Sequence, residues 1–138
     1  MALELTAVGD IVFLVARLLF GGVLAFMGLN HFMDTDAMAG YAESKGVPAP
    51  RLSVLASGGT LIFGGLLVAL GLFPAIGAGA LAAFFLVATP KMHDFWTVDD
   101  PQAQQNEMTH FLKNAVLLAA SLALLALGGQ AWPYAVGL

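Results

Sequence analysis

The sequence predicts an all-α integral membrane protein, an antiparallel four-helix bundle that forms one domain over residues 1–138. Hydrophobic residues make up 59% of the chain and charged residues only 10%, whereas about a quarter of a typical soluble domain is charged. A membrane-spanning helix needs about 20 mostly apolar residues. Four runs of that size fit the chain, over residues 11–32, 52–72, 75–92 and 101–128. The connections between them leave no room for a soluble domain.

The first span carries one charge well inside its apolar run, Arg17. Ionisable residues within a membrane usually face other helices and mark a function. Arg17 is close enough to the expected outer edge, however, for its side chain to reach the lipid headgroups. An ion pair with Asp10, which lies on the same helix face, would satisfy the charge of Arg17 equally well. We therefore expect a structural role for Arg17 and keep a functional one as the alternative.

The loop after the first span predicts a short helix at the membrane surface. Asp34 or Asp36 can cap its start, and Gly46 with Pro48 ends it after Lys45. Such a helix would lie in the interface with its apolar side towards the bilayer.

Glycines spaced seven residues apart predict close packing of the first two spans. They are Gly21 and Gly28 in the first span, and Gly58 and Gly65 in the second. Small residues on one stripe let membrane helices approach closely. The second and third spans are then joined by a tight hairpin at residues 73–74.

The fourth span begins with a clear local signal, Asp100 as the N-cap and Pro101 at the first helical position. Polar residues then follow one arc of the helix into its apolar part, and a polar arc of this kind is expected to face other helices. The residues of this arc are Asn106, His110, Lys113, Asn114 and Ser121.

Basic residues predict the orientation of the spans. Loops that carry Lys and Arg stay in the cytoplasm, and the four that lie near loops are Lys45, Arg51, Lys91 and Lys113. All of them border the first and third loops. Both termini are therefore expected outside.

Composition also excludes several classes of function. A net charge of −4 argues against a nucleic-acid surface. The absence of cysteine excludes disulfides, thiol relays, cysteine nucleophiles and cysteine-ligated iron–sulfur clusters. Glu4 and Asp10 stand where a secretory signal would carry positive charge, so we expect the first span to be retained.

With alternating spans, all three histidines fall at the cytoplasmic side of the membrane. Each lies at the inner end of a predicted span, together with polar and aromatic neighbours. The candidate binding residues are His31, His93, Asp94, Trp96, His110, Lys113 and Asn114.

Four interpretations of this cluster remain open. A quinone-type headgroup could bind, with imidazole, lysine and amide donors at its oxygens and aromatic walls around it. Glu107 and His110 have the spacing used in di-iron bundles, but the chain has one copy of that pattern, so at most a single metal would bind. Two histidines could ligate a haem. The fourth interpretation is a purely structural network, with His93 on Asp94 and Lys113 on Glu107.

The order of several motifs resembles the DoxX family of small four-helix membrane proteins. The resemblance covers residues 17–127, and its most specific parts are the stretches at 93–96 and 111–114. The residues that carry it are Arg17, Gly28, His31, Phe32, Tyr41, Gly46, Val47, Pro48, Gly64, Gly65, Gly71, His93, Asp94, Phe95, Trp96, Phe111, Lys113 and Asn114.

The resemblance implies a multi-pass protein of a prokaryotic cell membrane. The family takes its name from a subunit linked to a thiosulfate:quinone oxidoreductase and a quinol oxidase, and other relatives look like accessory members of redox complexes. We therefore expect an accessory subunit of a quinone-linked redox system rather than a stand-alone enzyme. Relatives often carry a basic residue after the second span, where this chain has Phe73 and Pro74.

A non-catalytic scaffold or assembly factor is the competing hypothesis, because a fold does not determine function. Such a protein would act through helix contacts with a membrane partner or with a second copy of itself, among the membrane lipids.

Overall fold

A computed structural model describes residues 4–136, and these contain five α-helices and no strand. One short 3₁₀ turn, Phe95–Thr97, follows the fourth helix. The helices are α1 (Ala7–Met33), α2 (Thr35–Ser44), α3 (Pro50–Leu70), α4 (Pro74–Met92) and α5 (Pro101–Leu127). The four long helices are all apolar enough to cross a membrane, which confirms the four predicted spans within a few residues at each end.

Local capping signals place several of the helix ends. The Asp100 carboxylate accepts a hydrogen bond from the Ala103 amide at 2.9 Å, as predicted for the start of α5. Gly71 ends α3 at φ 69°, a left-handed conformation that glycine adopts without strain. Asp34 does stand at the N-cap of α2, but its side chain makes no capping hydrogen bond. The Thr35 hydroxyl donates instead to the His31 carbonyl at 2.7 Å, so α2 follows α1 almost without a loop.

The glycine stripes bring α1 and α3 into backbone contact, as predicted. A Cβ atom added to Gly21 would lie 2.2 Å from the Gly65 carbonyl oxygen, and one added to Gly28 would lie 2.6 Å from that of Gly58. Any larger side chain at these positions would force the helices apart.

The apolar core lies between α1, α3 and α4. Its best-buried side chains are Leu24, Leu61, Val68, Leu81 and Phe85. Helix α5 packs on α4 at the edge of this core through partly buried leucines, and Ser121 is its one buried residue. Most of the α5 surface is therefore left to lipid or to another helix.

The structure corrects the expectations for Arg17. Its side chain is completely buried instead of reaching towards the headgroups, and among residues 4–136 it forms no ion pair with Asp10. The guanidinium instead lies 5.6 Å from the ring centroids of both Phe13 and Trp132. Its Nε donates to the Ala69 carbonyl at 3.4 Å.

This placement gives Arg17 a part in capping α3. The last four carbonyls of a helix lack partners within it and need them from elsewhere. The segment after α5 folds back over the end of α3 and supplies one of these partners. The donors are the Leu72 amide to Leu67, the Gly71 amide to Val68, Arg17 to Ala69, and the Val136 amide to Leu70.

Candidate functional site

A groove of about 1080 Å³ runs between α3 and α4 and is covered at one end by α2. Its apolar walls come mainly from α4, as Ala80, Ala83, Phe84 and Val87. The lining of α4 extends from Ala80 to Met92, which at 1.5 Å per residue makes the groove about 18 Å long. It is therefore long enough for a flat ring and part of a chain attached to it.

Polar groups line the groove beneath α2. His31 at the end of α1 is half buried, and its Nδ1 lies 3.0 Å from both the Val54 carbonyl oxygen and the Ser57 hydroxyl. Tyr41 of α2 and Lys91 of α4 line the same end. The end of the groove beneath α2 thus holds most of its polar groups, and the rest of its lining is apolar except for Thr60 of α3, as suits an amphiphilic ligand.

A hydrogen-bonded network begins directly behind Tyr41. The Tyr41 hydroxyl donates to Oε1 of Glu107 on α5, and Oε2 of the same carboxylate lies 2.8 Å from Nδ1 of His93. Both the Glu107 and the His93 side chains are at most 20% exposed. The network therefore joins the groove on one side to the end of α4 on the other.

An ion pair beside this network holds α2 against the turn after α4. Nζ of Lys45 lies 2.8 Å from Oδ1 of Asp94, and both side chains are mostly buried. The Thr97 hydroxyl donates to the second Asp94 oxygen at 2.9 Å. Burial and then the hydrogen bond to Glu107 raise the pKa of Tyr41 above its ordinary value of 10.0, so its hydroxyl stays protonated and remains a donor.

The exposed edge of the network is aromatic. The ring of His110 stacks on that of His93, with centroids 5.2 Å apart and an interplanar angle of 27°. Phe95, Trp96 and Phe111 pack edge-on against one another at 5.3 to 5.8 Å. This aromatic group fastens α5 to the turn after α4.

The structure brings some of the predicted site residues together and separates others. His93 and His110 lie in one network, with Asp94 beside it, whereas His31 lies in the groove. Lys113 and Asn114 make no side-chain hydrogen bond within residues 4–136, and neither these two nor Trp96 line the groove.

Two expectations about this region need correction. The polar arc of α5 was expected to face other helices, but Asn106, His110 and Lys113 are exposed, and only Ser121 is fully buried. Helix α5 sits at the edge of the core, so its arc does not turn inward along its whole length. The proposed structural pairs also differ, because Glu107 binds His93 and Tyr41 instead of Lys113, and Asp94 binds Lys45.

Tyr41, Lys45 and Lys91 were not among the candidate binding residues, although Tyr41 is one of the residues that carry the family resemblance. Tyr41 and Lys45 are four residues apart and so share a face of α2, and this spacing is the signal that could have singled them out. Residues 4–136 contain no group of three or more His, Asp or Glu side chains placed to hold a metal ion.

Comparison with protein families decides which family this is. The DoxX family profile matches residues 12–94, more than half of the chain. The chain belongs to the DoxX family. Comparison with curated proteins gives no significant match, and comparison with solved structures gives none either.

The DoxX match confirms the resemblance and the multi-pass membrane class. It covers nearly all of α1 and the whole of α2, α3 and α4, including the groove, and it ends at Asp94. Glu107, His110, Lys113 and Asn114 lie on α5, beyond the matched segment. In this DoxX protein the family match therefore contains the whole groove, together with Tyr41, Lys45, His93 and Asp94 beside it.

Proposed function

We propose that this DoxX protein is an accessory subunit of a quinone-linked membrane redox system and that the groove between α3 and α4 holds a quinone-type headgroup. The observation that carries the proposal is the groove itself, with its apolar length and its single polar end. Small-molecule pockets are typically 300–1,000 Å³ and mostly apolar, with a few placed polar groups. The groove has this character, and its volume of about 1080 Å³ is slightly above that range.

The residues of the groove fit a flat amphiphilic ring. His31 and Tyr41 would face the oxygens of the headgroup, and Phe84 with the α4 alanines would contact the ring and its chain. A bound quinone would supply two-electron redox chemistry to the partner enzyme. The protein itself would bind and orient the headgroup and keep lipid away from it.

The network behind Tyr41 would link this headgroup site to the membrane surface. Glu107 accepts hydrogen bonds from Tyr41 and pairs with His93, which stacks on the exposed His110. A chain of hydrogen bonds can pass a proton along its length, and this one runs from Tyr41 through Glu107 to His93. The contributions of Trp96, His110, Lys113 and Asn114 to this site stay predictions.

The surrounding topology is part of the same proposal. We place the protein in a prokaryotic cell membrane as an antiparallel bundle with both termini outside. The contacts between α1 and α3 support the opposite direction of these helices, because Gly21 meets Gly65 while Gly28 meets Gly58. The basic residues near α2 and α4 support a cytoplasmic location of the polar end of the groove.

Filling the groove tests the proposal. Ala83 is exposed and lines the groove, whereas Leu86 on the same helix is 64% exposed and does not. Protein isolated in native lipid discs should contain a quinone that mass spectrometry detects in the extract. Ala83→Phe should remove most of that quinone, and Leu86→Phe should leave it in place. Discs with no quinone, or equal amounts in both variants, would contradict the proposal.

A scaffold function is the second candidate, supported by the exposed apolar surface of α5. Only Ser121 of this helix is buried, which leaves much of its length for a partner helix or a second copy. Purification in a mild detergent distinguishes the candidates. A stoichiometric protein partner without any quinone would favour the scaffold.

A further inference from the structure

The hydroxyl groups of α3 that line the groove have no proton free to donate to a ligand. Each donates to a backbone carbonyl of the protein, so only its lone pairs remain for a ligand. The pairs are Ser53 to Pro48 at 2.7 Å, Ser57 to Val54 at 2.9 Å, and Thr60 to Ala56 at 2.9 Å.

The Tyr41 hydroxyl likewise has no proton free to donate to a ligand. Its hydroxyl proton points to the carboxylate of Glu107, with the Met92 carbonyl oxygen as a further acceptor at 3.4 Å. A carboxylate accepts hydrogen bonds and donates none, so this direction is fixed. Towards a ligand in the groove, the Tyr41 oxygen can therefore only accept.

His31 is also an acceptor, because of the partner on its other nitrogen. Nδ1 lies 3.0 Å from both the Val54 carbonyl oxygen and the Ser57 hydroxyl oxygen. Since the Ser57 hydroxyl donates to Val54 and a carbonyl can only accept, both neighbours accept from Nδ1, which carries the proton. In the neutral ring Nε2 then holds a lone pair. Nε2 has no hydrogen-bond partner within residues 4–136, yet it is not among their buried unpaired atoms. It is thus accessible.

The charged side chains at the opening of the groove do not change this excess of hydrogen-bond acceptors over free donors. Asp34 adds a further acceptor, and Lys91 is the one ammonium donor in the lining. Lys91 is exposed at the end of α4, where water competes for its protons. The partly buried polar side chains that line the groove therefore offer lone pairs and no free protons, and these are His31, Ser53, Ser57 and Thr60.

We infer that the groove selects the reduced, hydroxyl-bearing form of the headgroup, a quinol, over the oxidised quinone. This inference rests on the proposed function and names the ligand form that the same site prefers. Quinone oxygens are carbonyls, which would face the lone pairs of His31 and Tyr41 without a proton between them. A quinol hydroxyl donates to Nε2 of His31, and the bound ligand satisfies the acceptor.

Three probes with the same ring and tail test this inference. They are a decyl benzoquinone, its two-electron-reduced benzoquinol under argon, and the dimethyl ether of that quinol, which has no hydroxyl proton. Affinities are measured by calorimetry with the full chain in lipid nanodiscs. Since one hydrogen bond contributes about 1 kcal/mol, the quinol should bind about fivefold more tightly than the other two.

A substitution at His31 tests whether this residue causes the preference for the quinol. His31→Asn places an amide N–H near the Val54 carbonyl and removes Nε2, so the fold keeps its hydrogen bond while the groove loses the acceptor. This variant should prefer the quinol over the ether less strongly, because the Tyr41 oxygen remains as an acceptor, and should leave the affinity for the quinone unchanged. Leu86→Phe, outside the groove, should keep the full preference.

The outcomes separate this inference from the proposed function. If none of the three probes binds, the proposed function fails and the inference fails with it. If the quinone or the ether binds as tightly as the quinol, the groove is a headgroup site and only the inference is overturned. An undiminished quinol preference in His31→Asn would also overturn it.

Discussion

The carboxylate of Glu107 lies 2.8 Å from the imidazole of His93, measured from Oε2 to Nδ1, and its other oxygen accepts a hydrogen bond from the Tyr41 hydroxyl. These residues belong to α5, to the end of α4 and to α2. One side chain thus joins three helices at the end of the groove that α2 covers. Because Glu107 and His93 are largely shielded from solvent, their contact is protected from competition by water.

Removing the charge of Glu107 should weaken this junction. We expect Glu107→Gln to lower the free energy of unfolding by about 1–2 kcal/mol, since hydrogen bonds to charged groups are stronger than neutral ones. Thermal unfolding in detergent micelles measures the change. Glu43→Gln is the matched control, because Glu43 is exposed on α2. Equal effects of the two substitutions would show that the contacts of Glu107 contribute nothing to the free energy of unfolding.

Ionisation of Tyr41 should require unusually alkaline solution. Burial and Glu107 raise its pKa in the folded protein above 10.0, so the folded state favours the protonated hydroxyl. The resulting stabilisation is fully present below pH 10 and disappears as the pH rises through the higher folded value. In Tyr134→Phe, absorbance at 295 nm reports Tyr41 alone. Its titration midpoint should lie above that of the same protein unfolded, and identical midpoints would refute the shift.

The close contact of α1 and α3 should not tolerate a methyl group at Gly21. A Cβ there would lie 2.2 Å from the Gly65 carbonyl oxygen, so Gly21→Ala should cost about 1–3 kcal/mol of stability through overpacking. Gly22 is its neighbour, and a Cβ there meets nothing within 4 Å. Gly22→Ala should leave stability unchanged or raise it by up to about 1 kcal/mol, because alanine favours the helix. The melting temperatures of the two variants, compared with that of the unchanged protein in the same detergent, test both expectations.

The predicted orientation can be tested with single cysteines, because the chain has none of its own. Asp99 lies in the connection before α5 and Gln130 lies just after it, and both are exposed. In intact cells, a membrane-impermeant maleimide should label Gln130→Cys and leave Asp99→Cys unlabelled until the membrane is opened. The reverse pattern would place the termini in the cytoplasm.

Several helix ends could be predicted because their signals are local. Asp100 and Pro101 start α5, and the short connection at Phe73 and Pro74 follows from two adjacent residues. The approach of α1 to α3 was also predictable, since glycine is the residue that permits it. Each of these features depends on residues near one another in the chain or on the size of one side chain.

The candidate site was predicted less completely. His31, His93 and Asp94 were singled out, but Tyr41, which connects the groove to the network, was not. Its partner Glu107 is 66 residues away, so no local pattern relates them. Asn106, His110 and Lys113 were assigned to an inward face and are exposed, because the edge position of α5 cannot be inferred from its own periodicity.

The sequence by itself determined that this is a membrane protein with four long apolar helices and one short helix, and where several of those helices begin or end. Hydropathy and capping decide such features residue by residue. Only the tertiary structure decided which helix faces are neighbours, and with them the burial of Arg17, the groove and the partners of Glu107. The physical reason is that lipid accepts apolar side chains on every face of a helix, so hydropathy leaves its rotation and its neighbours undetermined.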